Sequence, residues 1–385
     1  MTALIDLAGS YTLHPGVSAS ITGQRPLLGP GLLSRVLRGR GVDQVEQSLG
    51  QLFSLCGHAH RRVARLAIHA AQCTALRMLP QPPSQALAFQ TALDHLRSMA
   101  TDWPYQGTGW SVACPVSLAP TSVNLNDAQG TDGLRRLQDW LEHRVLQQTI
   151  SDWIGEHRTP EALLAWCHRH GAAVPPAQFL VDCYPLASAL QIPCKPLDVL
   201  DQQLEKQTLN LHQLALAIGD QPNFSQQPRW HGQCVETGAW TRLRHLQTET
   251  GSGIPTSGGM NAWTRLASRW CELVELCADE QTCDTSALGL SSGALALGQG
   301  QALGWCEMAR GLLLHWVQLD SQGQVQTYQV VAPTEWNFHR EGALARALTQ
   351  LAPEDAAGAS LLGKAFDACV DCQVSPVPSS EPFNA

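Results

Sequence analysis

ARGLLLHWVQLDSQGQVQTYQVVAP, residues 309–333, is the stretch that separates a mixed fold from an all-helical one. Two apolar runs rich in Leu, Val and Tyr flank the turn sequence DSQG, so the segment reads as a β-hairpin. The residues just before it, Gly289 to Gly304, are rich in Gly, Ala and Leu. Further out the pattern turns helical on both sides. EGALARALTQL (341–351) and ASLLGKAFDACV (359–370) read as closing helices. NAWTRLASRWCELVELCAD (261–279), a segment near 197–217, PEALLAWCHRHG (160–171, closed by Gly171) and LRRLQDWLEHRVLQ (134–147) read the same way. Val42 to Met99 is helical, with a break near Gly57 and a turn at Pro80–Pro83. There, Val63, Leu66, Ala70 and Leu76 fall near one face, and Arg61, Arg62, Arg65 and His69 largely elsewhere. Residues 101–130 read as loop. The expected architecture is mainly α with a small antiparallel β element (α+β). It forms one unit over 1–385, with an irregular segment at 1–30 and a short flexible tail at 376–385.

Composition narrows the function. A net charge of −8 and a pI near 5.9 argue against a general nucleic-acid binder, which needs a basic face. MTALIDLAGSYTLHPG lacks the basic and apolar regions of a secretory signal, and no run of eighteen apolar residues spans a membrane. Thirteen cysteines is a high and odd count, so complete internal pairing is impossible. A reducing cytoplasm is the expected location, with most thiols serving as small buried hydrophobes.

Three constellations carry possible chemistry. In FDACVDCQV, Cys369 and Cys372 stand three residues apart between Asp367 and Asp371. The spacing suits two sulfurs on one metal, or a dithiol that forms a disulfide. It equally suits two core cysteines. The aspartates are expected to raise the thiol pKa values by like-charge repulsion, which a bound cation would reverse. In SLCGHAHRRVARLA (54–67), Cys56 sits where a helix begins, with His58 and His60 following. Ordinary helix-start residues would look the same. In GWCEMARGLLLHWV (304–317), Glu307 and Arg310 precede an apolar strand. An arginine there needs a partner, either a structural Glu–Arg pair or an anionic ligand. Cys271, Cys277 and Cys283, His212 and most tryptophans read as packing or surface.

Together these segments resemble the large subunit of nickel–iron hydrogenases and, more closely, the HupK/HoxV-type accessory proteins related to it. LLSRVLRGRGVDQVEQSLGQLFSLCG (32–57) is similar to the run into the first cysteine motif. GWCEMARGLLLHWV and YQVVAPTEWNF (328–338) are similar to the Glu-x-x-Arg-Gly region and its sequel. FDACVDC resembles the terminal Asp-Pro-Cys-x-x-Cys. A true large subunit holds nickel and iron with four thiolates. Here Ala59 replaces the second thiol of the first pair, Ala368 replaces the proline, and Ser375 replaces the histidine that precedes proteolytic trimming.

The resemblance therefore implies a hydrogenase large-subunit-like fold without hydrogen turnover. It implies a cytoplasmic maturation scaffold for iron, as an Fe(CN)2(CO) group, with no nickel. Cys369, Cys372 and Cys56 are the implied metal ligands. Arg310, His60 and Glu307 surround the group. Other hydrogenase maturation factors and the immature large subunit are the implied partners, with no nucleic acid or membrane. A thiol-redox protein and a metal-free structural relative are the alternatives; a working hydrogenase is disfavoured by Ala59 and Ser375.

Overall fold

The computed structural model describes residues 8–53, 55–103, 114–117, 125–193, 195–243, 260–278 and 290–375. The chain begins with strands β1 (Ser10–Leu13) and β2 (Ile21–Gln24), a 3-10 turn (Pro26–Leu28) and helix α1 (Leu32–Leu37). Helices α2 (Val42–Leu52) and α3 (Gly57–Ala71), strand β3 (Arg77–Pro80) and helix α4 (Gln85–Asp102) follow. The helical middle starts with α5 (Asp127–Trp140), which runs into a π-helical turn (Leu141–Leu146). It continues through α6 (Ile150–Glu156), α7 (Pro160–His170), α8 (Pro175–Ala189) and α9 (Leu204–Asp220). Helices α10 (Ala239–Leu243) and α11 (Ala262–Leu276) complete it. Strands β4 (Ser292–Gly298), β5 (Gln301–Met308), β6 (Gly311–Leu319) and β7 (Val325–Val331) run consecutively. Helices α12 (Pro333–Asn337), α13 (Ala343–Thr349) and α14 (Ala356–Phe366) then lead to β8 (Asp371–Val374).

The hairpin at 309–333 is present as β6 and β7, but it belongs to a larger antiparallel sheet of order β3-β4-β5-β6-β7. Strands β4 and β5 do not alternate polar with apolar because both faces are covered. Ala294, Ala296, Ala302 and Cys306 pack towards α2 and α3, while Leu295, Leu303 and Trp305 pack towards α9. Gly304 lets α3 lie close, since a Cβ there would come within 2.9 Å of the Val63 carbonyl oxygen.

Residues 8–30 are not irregular as expected. A second sheet, order β2-β1-β8, pairs β1 antiparallel with β2 and parallel with β8, from Ser10↔Asp371 to Leu13↔Val374. Its strands are four residues long, too short for a periodic signal. Three other segments differ from the sequence reading or were left out of it. Helix α5 starts inside the stretch read as loop, capped by Asn126 and Gln129. Helix α8 begins on two prolines and keeps Pro185 inside, which hides it from a propensity reading. Leu76 lies beyond the end of α3 and is exposed, whereas Arg61 is buried. Cys283 and the tail 376–385 fall outside the described residues. No helix among the described residues is long and apolar enough to cross a membrane.

Candidate functional site

Cys56 is fixed by the approach of two helices. It immediately precedes α3; its N–H donates to the Phe53 carbonyl, and its own carbonyl accepts from His60 N. A Cβ at Gly57 would stand 2.7 Å from the Gly50 carbonyl oxygen of α2, so this close contact needs a glycine. Cys369 comes from the far end of the chain. Helix α14 ends at Asp367, whose φ of 50° turns the backbone back towards the core. The Cys369 N–H then donates to Thr334 Oγ1 at 3.3 Å.

The two thiols meet in the interior, 3% and 8% exposed. The neighbouring Cys56 thiol lowers the Cys369 pKa to about 6 against the opposing effect of burial. Arg310, Arg25 and the Thr334 hydroxyl add to that lowering. Cys56 is correspondingly pushed up, by Cys369 and by burial. The two thiols are thus pushed in opposite directions, Cys369 towards the thiolate and Cys56 towards the thiol.

Two buried guanidiniums flank it. Arg310 is 7% exposed and lies 3.6 Å from Asp367 Oδ1, yet its Nε makes no hydrogen bond. Arg25 is 4% exposed. Its Nη1 donates to Glu335 Oε1 at 3.4 Å, its guanidinium lies 5.6 Å from the Phe53 ring centre, and its Nε also lacks an acceptor. Tyr11 donates to the other Glu335 oxygen at 2.7 Å. Nothing local in the sequence marks Arg25: the residue emerges only when residues 25, 53 and 335 are brought together.

The expected effect of the aspartates holds for one thiol and fails for the other. Asp367 accepts from Ser98 Oγ at 2.8 Å and lies 3.4 Å from Arg269 Nη1. Burial opposes its ionisation, but Arg310 and Arg269 hold its pKa below the ordinary range. Its charge is thus absorbed, and Cys369 sits in an electropositive setting. Cys372 behaves as expected: burial, then Asp371, raise it to about 12.

The structure gathers two of the three candidate sulfurs. Cys372 is on β8 opposite Tyr11, near Gly363 of α14, in a groove of about 200 Å³ lined by Leu13, Asp102, Lys364 and Asp371. Among the described residues, no group of three or more His, Cys, Asp or Glu side chains is arranged to hold a metal ion. The site is a thiol pair between cations, rich in hydrogen-bond donors.

His60 is buried and stacks on Phe53 with ring centres 3.8 Å apart. Its Nδ1 is 3.0 Å from His315 Nε2, and His315 Nδ1 is 2.7 Å from the Tyr328 hydroxyl. Burial keeps both imidazoles neutral, His315 with a pKa of about 3. His60 thus supports Phe53, which in turn lies beneath Arg25. Glu307 does not pair with Arg310, as a local Glu–Arg pair would require. It accepts from Arg242 Nη1 at 2.6 Å, and Arg242 also binds Glu272 through Nε and Nη2 at 2.6 and 2.7 Å. His95 Nε2 lies 2.6 Å from the same Glu272. The carboxylate partner of Arg310 is Asp367.

This geometry lies within a chain that has known relatives. Residues 260–374, which contain Arg310 and both C-terminal thiols, match the family described as nickel-dependent hydrogenase. The chain is 35% identical to the hydrogenase expression/formation protein HoxV of Cupriavidus necator, over 96% of each chain. The chain belongs to the HoxV/HupK family of hydrogenase expression/formation proteins. HupK of Rhizobium leguminosarum bv. viciae, from the same family, is 26% identical over 90% of each chain. Among solved structures, the chain is similar to an NAD+-reducing NiFe-hydrogenase in the H2-reduced state, with 15% identity and a TM-score of 0.47. That alignment covers 91% of this chain and 92% of that one. A NiFeSe-hydrogenase of Dm. baculatum gives 14% identity and a TM-score of 0.44, over 91% and 93% of the chains.

Proposed function

We propose that this protein is a non-catalytic scaffold of hydrogenase maturation. It holds an iron group with cyanide and carbonyl ligands, Fe(CN)2(CO), and hands it to the immature large subunit in the cytoplasm. The observation that carries the reading is the Cys56–Cys369 pair between two buried guanidiniums, each with an N–H that lacks an acceptor. Thiolates suit low-spin iron, and unpartnered N–H groups suit the nitrogen ends of cyanide.

In this reading Cys369 and Cys56 seat the group, and Cys372, in the neighbouring groove, supplies a further thiolate during transfer. Arg310 donates to a cyanide. His60 and Glu307 act through their neighbours, His60 by supporting Phe53 and Glu307 by anchoring Arg242. Nickel has no place in this reading. The partners are the maturation factors that deliver the group and the subunit that receives it.

The test is an infrared spectrum of protein purified without oxygen from cells that express the maturation machinery. Cyanide and carbonyl bands that disappear in Cys369→Ala support the scaffold. A folded, band-free protein from such cells would overturn it. If that protein carried a disulfide between Cys56 and Cys369, the thiol-redox reading would replace it.

A further inference from the structure

We propose that Arg25 determines what the thiol pair accepts, turning away bare divalent cations and favouring a group with anionic, hydrogen-bond-accepting ligands. This rests on the scaffold reading and adds to it a residue that selects the cargo.

The placement of Arg25 is set from two sides. Glu335, which binds its Nη1, directly follows Thr334, whose hydroxyl oxygen accepts from the Cys369 N–H. Phe53, whose ring lies under its guanidinium, offers its carbonyl to Cys56 N. The side chain is therefore pinned beside both segments that deliver the sulfurs. It acts there in two ways. Its positive charge opposes the approach of another bare cation. Its free Nε–H, buried and without an acceptor, remains available to an anionic ligand.

Arg310 cannot replace it, because its compensating carboxylate, Asp367, lies on the side of Arg269 and Ser98. With Arg25 removed, the two sulfurs meet a bare cation with one positive charge fewer beside them.

The experiment is an oxygen-free titration of the full chain with Co2+ alone, read by the thiolate-to-cobalt charge-transfer absorption. The wild type is expected to bind weakly at the pair. Arg25→Met is expected to gain one site at least tenfold tighter, lost in Arg25→Met/Cys56→Ser. Arg25→Lys, which keeps the charge, should resemble the wild type. If Arg25→Met does not fold, as judged by circular dichroism, Arg25→Gln serves the same comparison. Equal cobalt affinity in the wild type and the charge-removing variant would overturn the proposal, as would a gain that survives loss of Cys56. The readout is independent of iron loading, so an infrared-silent wild type would end the scaffold reading and leave the cobalt result standing.

Discussion

Cys56 and Cys369, delivered from opposite ends of the chain, meet as one buried pair whose thiols shift each other in opposite directions. Thiolate absorbance near 240 nm should therefore show one group ionising around pH 6, since Cys369 is lowered to about 6. Cys369→Ser should abolish that transition. Cys56→Ala should move it upward, because Cys56 makes the largest contribution to the lowering. A titration unchanged by either substitution would contradict the contact.

Asp367 neutralises two arginines at once. Asp367→Ala leaves Arg269 and Arg310 buried without their shared carboxylate. It is expected to lower stability by roughly 3–5 kcal/mol, as when one partner of a buried ion pair is removed. Urea unfolding midpoints measure this, and a loss near zero would mean that solvent reaches the arginines.

Glu307 and Arg310 lie close in sequence but should separate in experiment. Glu307→Gln weakens the Arg242 network and should lower the melting temperature without moving the infrared bands. Arg310→Lys should shift the cyanide bands while the fold persists, because Lys cannot reproduce the guanidinium geometry. Bands that move in Glu307→Gln and stay fixed in Arg310→Lys would reverse these roles.

Glu275 on α11 gives the protein a pH-dependent term. Burial, then the charge of Glu272, raise its carboxyl to about 8. A raised folded pKa means that the native state keeps a proton the unfolded chain has already released. Its contribution is complete below the ordinary value of 4.5 and is lost as pH rises through about 8. Glu275→Gln should remove this loss, and relative to the wild type its stability should increase between those limits by a few kcal/mol. Denaturant midpoints across pH 4–9 provide the measurement, and parallel profiles would rule out a buried neutral carboxyl.

The parts of this fold that were legible in the sequence are those with local patterns. The hairpin at 309–333 and the closing helices satisfy the periodicities of their own residues. Strands β4 and β5 were not legible because Ala, Leu and Trp on their two faces meet different clusters, erasing the alternation. The N-terminal strands were not legible because the order of β1 depends on pairing with residues 371–374. The site divided the same way. Cys56, Cys369 and Arg310 stand in motifs, whereas Arg25 gains its role only from Phe53 and Glu335. Glu307 stands in a motif too, yet its partner is Arg242, which proximity in sequence could not suggest.

The parallel pairing of β1 with β8 also sets the timing of the protein's life. Cys56 leaves the ribosome early, but the segment that carries Cys369 is anchored by a strand that ends at Val374. On the proposed scaffold reading, a nascent chain has no complete thiol pair during most of its synthesis. In that reading loading follows translation of β8, and a ribosome stalled before it would display Cys56 without Cys369.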